Sequence, residues 1–257
     1  MTTNSPLNHT MSAINSWFIT PNLNNKAIVR LFCFHCAGGD ASTFYPWAKK
    51  INSSIELISI QLPGHGMKFD EPKLRSMEAI IAYLNNAILP YFDRPYFFFG
   101  HSLGALVAFE LTRSLQKNCK PLPECLFVAG KNPPHIRDQK FICHLSDQEI
   151  IEEIKKYNGI PAEILAETSL MNIFLPIFRA DFEVLETYVY YKSLPLTCNL
   201  IALGGVEDPI VKAVNIEAWK IHTSGKFQSY LLTGDHFFIK SQQPEVLEII
   251  YQTIQPR

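Results

Sequence analysis

The sequence contains no long run of like-charged residues and no long uncharged apolar stretch. Charged residues make up 18% of the 257 positions, and the formal net charge is -1. Nucleic acids and anionic membranes attract strongly basic surfaces, so the chain offers no electrostatic reason to expect either partner. A membrane-spanning helix needs about 20 consecutive apolar residues, and no stretch approaches that length. We therefore expect no nucleic acid and no membrane among its partners.

Metal-binding and phosphate-binding patterns are also missing from the sequence. No group of His, Cys and Asp residues has the spacing of a zinc site, and no glycine-rich phosphate loop occurs. The six cysteines mostly lie within apolar, strand-like runs rather than at the spacings of a disulfide framework. Residues 1–25 lack the basic and apolar regions of a signal peptide. These features predict a cytoplasmic protein that uses neither a metal nor a cofactor.

Cys33 and Cys36 form a C-x-x-C match. A redox pair of this kind normally opens a helix, whereas this pair lies at the end of an extended run. We interpret both as strand residues, with one side chain near a pocket.

Short β-branched or aromatic runs alternate with longer amphipathic stretches. This alternation is typical of an α/β fold, a mostly parallel central sheet flanked by helices on both faces. The candidate strands cover residues 27–35, 55–61, 95–100, 124–130, 198–204 and 226–233. The candidate helices cover residues 42–51, 74–89, 103–117, 213–222 and 244–254. The length suits one large domain or two small ones, and we favour one domain over residues 1–257 with an insertion.

The alternation stops at residues 133–194, where the pattern becomes helical. Ser146 and Glu149 have capping-box spacing, and Pro161 fits the first turn of a further helix. A helical block inserted between two core strands is expected to lie over the active site as a lid. The alternative is that these helices simply pack on the sheet.

Residues 100–104 form a G-x-S-x-G pentapeptide between an apolar run and a helix-like stretch. A serine at such a tight strand-to-helix turn has strained backbone geometry, and the two glycines leave room for strand and helix to approach. The Ser102 hydroxyl would then lie at a helix N-terminus, which favours developing negative charge. The pentapeptide alone occurs by chance in roughly one chain in ten of this length. Its setting is what predicts a serine nucleophile.

A serine nucleophile needs a base, and histidine has the appropriate pKa. Of the eight histidines, His35 and His236 are the serious candidates by position. His236 follows a strand-like run, so it lies on a loop at the C-terminal end of a strand, where α/β sites are built.

The acid that orients the base should also follow a strand. We choose Asp208 over Glu207, because Pro209 restricts Asp208 to an extended conformation at the loop edge. The alternative for Asp208 is an ordinary turn residue before proline. The chain order Ser102, Asp208, His236 matches the order of α/β-hydrolases.

The oxyanion hole should combine the backbone N–H groups of Ala37 and Leu103. Ala37 lies on the glycine-containing loop after an early strand, and Leu103 follows the predicted nucleophile. Each N–H group is expected to contribute on the order of 3 kcal/mol to transition-state stabilisation. His35 is then expected to line the pocket rather than act as the base.

Together these motifs resemble the stand-alone (type II) thioesterases that accompany polyketide and nonribosomal peptide synthetases, within the α/β-hydrolase superfamily. The resemblance runs through nearly the whole chain. Its motifs are residues 31–34, 37–39, 44–47, 61–64, 99–105, 179–182, 186–188, 204–209 and 234–238.

The resemblance implies a Ser102, His236 and Asp208 triad with Ala37 and Leu103 as oxyanion donors. It also implies the substrate, an acyl group held as a thioester on the phosphopantetheine arm of a carrier protein. Hydrolysis would clear a stalled synthase or release a medium-chain acyl group. The chain has no phosphopantetheine attachment motif of its own, which fits a discrete enzyme that meets its carrier as a separate partner. We expect this enzyme to be a monomer. A small-molecule carboxylesterase or lipase with the same triad and a catalytically silent binding protein are the alternatives.

The chain departs from the family pattern at three places. The family often has Arg where this chain has His65, and Pro followed by Tyr or His where it has His35 and Cys36. Asp40 replaces a small residue. All three departures are expected near the pocket mouth or the oxyanion loop, where they would alter the choice of substrate rather than the reaction.

Overall fold

The computed structural model describes residues 17–21, 23–136 and 141–254. Its strands are β1 (Phe18–Ile19), β2 (Val29–Phe34), β3 (Ile55–Ile60), β4 (Tyr96–His101), β5 (Cys125–Ala129), β6 (Asn199–Gly205) and β7 (Phe227–Leu232). They form one seven-stranded sheet in the order β1-β3-β2-β4-β5-β6-β7. Only the β1–β3 pair is antiparallel, and the other neighbouring strands are parallel.

The α-helices lie between the strands along the chain. They are α1 (Tyr45–Ala48), α2 (Met77–Ala87), α3 (Leu103–Lys117), α4 (Asp147–Lys155), α5 (Ala162–Ala166), α6 (Thr168–Thr187), α7 (Ala213–Glu217), α8 (Phe238–Ser241) and α9 (Gln243–Ile254). Short 3-10 helices precede α1 over Ala41–Phe44 and follow α7 over Ala218–His222. No helix in the described part of the chain is long and apolar enough to cross a membrane.

The central strands are buried on both faces, which explains their near-continuous apolar sequences. Phe98 on β4 packs into the core beneath α2 and α3, whereas its neighbour Phe99 packs into the core beneath α1 and α9. Successive side chains of a strand point to opposite faces, so one aromatic run supplies both cores. The predicted mostly parallel sheet with flanking helices is confirmed, and each predicted strand agrees with the observed one to within two residues at either end.

The helical insertion, residues 133–194, contains α4, α5 and α6 between β5 and β6. Its helices share a small apolar core of their own, which includes Ile154, Met171 and Phe178. Ser146 and Glu149 form the predicted capping box, and Pro161 directly precedes α5. The insertion is therefore a packed helical layer rather than a loose loop.

Candidate active site

Ser102 lies at the turn between β4 and α3. Its backbone angles are φ 55° and ψ −115°, a conformation that residues other than glycine rarely adopt. The turn is held because the Ser102 N–H donates a hydrogen bond of 2.8 Å to the carbonyl oxygen of Ala129 on the neighbouring strand. Strain of this kind, on the order of 1–3 kcal/mol, persists where surrounding structure enforces it and is concentrated at functional sites.

Gly100 and Gly104 allow this turn to close. A Cβ atom at Gly100 would overlap the backbone of Gly104 and Ala105, and one at Gly104 would overlap the carbonyl group of Phe34 on β2. Both collisions involve backbone atoms, which cannot rotate away. The spacing of the two glycines around Ser102 is therefore a packing requirement of the strand-to-helix turn.

His236 and Asp208 are hydrogen-bonded to each other on the loops that follow β7 and β6. Nδ1 of His236 lies 2.8 Å from Oδ2 of Asp208, and both side chains are almost fully buried. The other oxygen, Oδ1, accepts hydrogen bonds from the N–H groups of Ile210 and Val211 at 2.8 and 3.0 Å. The carboxylate accepts a hydrogen bond from the Nδ1–H group of His236. The other ring nitrogen, Nε2, is therefore the atom able to take a proton.

The pKa of Asp208 is lowered from its ordinary value. Burial raises this pKa, but the hydrogen bond and charge of His236 and the two backbone N–H donors outweigh the effect of burial. Asp208 is thus ionised around neutral pH, as an orienting acid must be.

Two other buried histidines are poor candidates for the base. Burial lowers the pKa of His101 to about 3, and its Nε2 atom donates a 2.8 Å hydrogen bond to the carbonyl oxygen of His236. Burial likewise lowers the pKa of His35 to about 4, and its Nδ1 atom contacts the carbonyl oxygen of Cys36 at 2.8 Å. His101 therefore supports the loop that carries His236.

Ser102 and His236 face a common cavity of about 750 Å³. The loop after β2 contributes Ala37 and Gly38 to its wall, beside residues from the loops after β5 and β6. The helical insertion contributes mainly apolar side chains, namely Ile142, Ile154, Ile160, Phe178, Phe182 and Leu185. A cavity of this size and polarity suits a small molecule with an apolar chain.

The predicted oxyanion donors lie on this wall or directly beside Ser102. Among the described residues, the backbone N–H groups of Ala37 and Leu103 have no hydrogen-bond acceptor. The N–H group of Gly38, in contrast, donates a 2.7 Å hydrogen bond to Oδ2 of Asp181. Gly38 is thus occupied, whereas Ala37 and Leu103 retain N–H groups available to a substrate oxygen.

The expectation that His35 lines the pocket is wrong. Its ring is 2% exposed and packs against His65, outside the cavity wall. Asp40 and His65 also lie outside the wall, and only Cys36 among the departures from the family pattern lines the cavity. Asp40 instead caps a 3-10 helix by accepting a hydrogen bond from Ser42 N–H. The sequence of a strand does not show which side chains of the loop that follows it point into the cavity.

The residue that the sequence motifs left without a role is Asp181. It lies within α6 and is 2% exposed, yet it contacts both Gly38 and His65. Asp181 is the single acid among the otherwise apolar buried side chains of α6, and such an acid is the sequence signal that indicates a structural contact.

Cys33 and Cys36 have the environment of buried structural thiols. Burial raises the pKa of Cys33 well above its ordinary value and that of Cys36 to about 11. Cys33 belongs to β2 and Cys36 lines the cavity, as interpreted from the sequence. The interpretation of Cys36 as a strand residue is wrong, because β2 ends at Phe34 and Cys36 lies on the loop that follows.

Iodoacetamide at neutral pH is therefore expected to label Cys119 and to leave Cys36 unmodified. Cys119 is exposed, whereas the raised pKa of Cys36 keeps it as the unreactive thiol. Peptide mass mapping after limited labelling shows which of the two cysteines is modified first. The unfolded chain in urea is the control, in which both cysteines react. Labelling of Cys36 ahead of Cys119 would contradict this description of the cavity.

A family model described as "Thioesterase domain" matches residues 29–254. The chain belongs to the thioesterase family. It is 40% identical over 243 residues to the linear gramicidin dehydrogenase LgrE of Brevibacillus parabrevis, across 93% of this chain and 92% of that protein. It is 35% identical over 222 residues to the thioesterase PikA5 of Streptomyces venezuelae, across 86% of this chain and 79% of that protein.

Among solved structures, the chain is similar to the type II thioesterase BorB from the borrelidin biosynthetic cluster. The TM-score is 0.85 at 29% identity, and the match covers 93% of this chain and 98% of that structure. These similarities confirm the predicted type II thioesterase resemblance and the α/β-hydrolase fold. The predicted activity class, acyl thioester hydrolysis, is confirmed with them.

Proposed function

We propose that this thioesterase hydrolyses acyl or peptidyl thioesters on the phosphopantetheine arm of a carrier protein. In this proposal Ser102 is the nucleophile, His236 the base and Asp208 the orienting acid, and the N–H groups of Ala37 and Leu103 bind the oxyanion. The observation that carries it is the 2.8 Å His236–Asp208 hydrogen bond at the cavity that also contains Ser102. Relatives named as a gramicidin S biosynthesis protein and as the medium-chain S-acyl fatty acid synthase thioesterase support the carrier-bound substrate.

The reaction proceeds in two displacements. Nε2 of His236 takes the Ser102 proton as Oγ bonds to the thioester carbonyl carbon, and the oxyanion forms against Ala37 and Leu103. The C–S bond then breaks, and the sulfur leaves with the proton from His236. Water next attacks the acyl ester, His236 takes a water proton, and that proton returns to Oγ as the acid is released.

The helical insertion, residues 133–194, is proposed to act as a lid within a single domain spanning residues 1–257. Its apolar side chains form one wall of the cavity, and along the chain its helices lie between β5 and β6. Such a layer can exclude water from the acyl group and widen or narrow the space for its chain. We assign the acyl chain to this apolar wall.

The name of LgrE describes a dehydrogenase, an activity that we do not propose for this chain. Dinucleotide-binding sheets have a G-x-G-x-x-G turn after their first parallel strand. Here the loop after β2 contains only the adjacent glycines Gly38 and Gly39. The Ser102, His236 and Asp208 arrangement instead provides the groups for acyl transfer.

We further propose that the enzyme works as a monomer in the cytoplasm. All six cysteines are free, which is compatible with a reducing compartment. Ser102, His236 and Asp208 come from one chain, so the proposed chemistry requires no second copy.

A comparison of two substrates distinguishes a carrier-protein thioesterase from a simple esterase. Purified enzyme is expected to hydrolyse an octanoyl-phosphopantetheinyl carrier with a kcat/KM at least about tenfold above that for p-nitrophenyl octanoate, because only the former presents the arm and the carrier. Equal or faster turnover of the free ester would assign the chain to small-molecule esterases. Failure of a fluorophosphonate to label Ser102 in folded protein would instead indicate a silent binding protein.

A further inference from the structure

Asp181 joins the helical insertion to two loops of the sheet. Its Oδ2 atom accepts a 2.7 Å hydrogen bond from the N–H group of Gly38, on the loop after β2. The same oxygen lies 3.0 Å from Nε2 of His65, on the loop after β3. His65 and Asp181 are each 2% exposed, so this contact is made away from solvent.

The contacts of His65 define its protonation state. Nδ1 lies 2.9 Å from the carbonyl oxygen of Pro63, and Nε2 faces the carboxylate of Asp181. A carbonyl and a carboxylate are both acceptors, so each ring nitrogen must carry a hydrogen to satisfy its contact. An imidazolium at His65 satisfies both contacts at once and forms a buried charged pair with the Asp181 carboxylate.

The surrounding charges are consistent with this assignment. Burial lowers the pKa of His65, but the charge and hydrogen bond of Asp181 outweigh burial and raise the pKa overall. Lys73 acts in the opposite direction. The neighbouring His35 ring, with a centroid 5.2 Å away, has its own pKa lowered to about 4 and stays neutral at and above neutral pH. Asp40 adds a negative charge nearby. Its side chain packs against Gly66, the residue after His65, where it would collide with an added Cβ atom.

The Asp181 contact controls the backbone beside Ala37. The Gly38 nitrogen belongs to the peptide that joins Gly38 to Ala37, so fixing it limits rotation next to the proposed oxyanion donor. Gly38 has φ +69°, and a Cβ atom there would overlap the ring of Phe178 on α6. The helical insertion therefore holds this loop by a hydrogen bond and by close packing at the same residue.

We propose that His65 and Asp181 are positioning residues that hold the oxyanion loop in its active geometry through the Gly38 N–H group. The proposal rests on the proposed function for the role of Ala37. When pH rises through the raised pKa of His65, the ring loses one proton. One ring nitrogen then faces an oxygen acceptor without a hydrogen between them, and that hydrogen bond is lost. The Asp181–Gly38 contact then loosens, and kcat falls on the alkaline side.

The kinetic test uses the pH dependence of acyl-carrier hydrolysis in the full-length chain. Wild-type kcat is expected to decline at alkaline pH. Asp181→Asn and His65→Gln should lower kcat about tenfold at neutral pH and remove that decline, a smaller loss than deletion of an oxyanion donor. KM should change less than kcat, because the loop acts on the transition state. His65→Arg, which stays charged, should restore much of the activity and lack the alkaline decline.

The matched control is His144→Gln, at an exposed histidine of the helical insertion. It should leave both kcat and the pH profile unchanged. An unchanged profile in Asp181→Asn, or an alkaline decline retained in His65→Arg, would overturn the positioning role.

A second measurement needs neither substrate nor a variant. Nitrogen-15 NMR of the wild-type imidazole should show His65 doubly protonated at neutral pH, and Gly38 amide exchange should accelerate as His65 titrates. A neutral His65 at that pH would overturn the proposal even if activity were normal. A charged His65 with a coupled Gly38, combined with no effect on hydrolysis, would contradict the oxyanion role of this loop while leaving the nucleophile untouched.

Discussion

Replacement of Ser102 by alanine is expected to lower kcat for acyl-carrier hydrolysis by about 10⁶-fold, leaving only the residual rate that binding and oxyanion stabilisation provide. Alanine lacks the hydroxyl that bonds to the thioester carbon, and water in its place is neither positioned nor deprotonated. Alanine also avoids new strain, because serine and alanine carry the same Cβ at φ 55°. Release of free acid from the acylated carrier, followed by mass spectrometry, measures the loss.

Ser169→Ala is the matched control for this substitution. Ser169 is exposed on α6, and its hydroxyl contacts only Glu167 among the described residues. Its kcat should stay within about twofold of wild type, as is usual for surface substitutions. Unchanged thermal unfolding of Ser102→Ala would show that the fold is intact, and retention of substantial activity by that variant would remove Ser102 from the mechanism.

Asp208→Asn is expected to lower kcat by about 10⁴-fold at neutral pH. An asparagine amide can donate to Nδ1 of His236, which places the ring hydrogen on Nε2 and prevents that atom from accepting the Ser102 proton. The near-isosteric side chain can keep the hydrogen bonds from Ile210 and Val211 N–H groups. The loss should therefore appear in kcat while substrate binding is largely preserved.

Glu207→Gln tests the neighbouring acid that the sequence left as the alternative. Glu207 is exposed, whereas the side chain of Asp208 is buried against His236. The kcat of Glu207→Gln should remain within about twofold of wild type. A large loss in Glu207→Gln with a small one in Asp208→Asn would reverse the assignment.

The parts of the site that are local in sequence were the most predictable. Residues 100–104 specify a turn through backbone sterics, and Gly104 has no room for a side chain against Phe34. The positions of Asp208 and His236 followed from strand ends, because parallel strands bring their C-terminal loops to one edge of the sheet. The sheet order places β6 beside β5 and β7 beside β6, so the loops that follow β6 and β7 meet.

Contacts between distant segments were not predictable in the same way. His65 and Asp181 are separated by 116 positions, and their pairing depends on how α6 packs over the sheet. The short edge strand β1 was also missed, since two residues are too few to show alternation. The sequence predicts His35 in the pocket, whereas its ring packs on His65, a contact that only the tertiary structure determines.

The site combines a framework held by backbone packing with a loop whose proposed support is the His65–Asp181 pair. Ser102 and its helix are held by backbone packing, and His236 is held by Asp208 and His101. The loop of Ala37, in contrast, is held partly by a charged pair that spans the sheet and the insertion. Alkaline pH should therefore weaken the proposed oxyanion hole through this loop.

The most direct test of the central claim is to trap the acyl-enzyme. Wild-type protein is mixed with an octanoyl carrier, quenched in acid within the first turnovers and digested for peptide mass spectrometry. The octanoyl mass is expected on the peptide that contains Ser102, and it should be absent in Ser102→Ala. Hydrolysis without an adduct on Ser102, or with the adduct on Cys36 in the same cavity, would contradict the proposed mechanism.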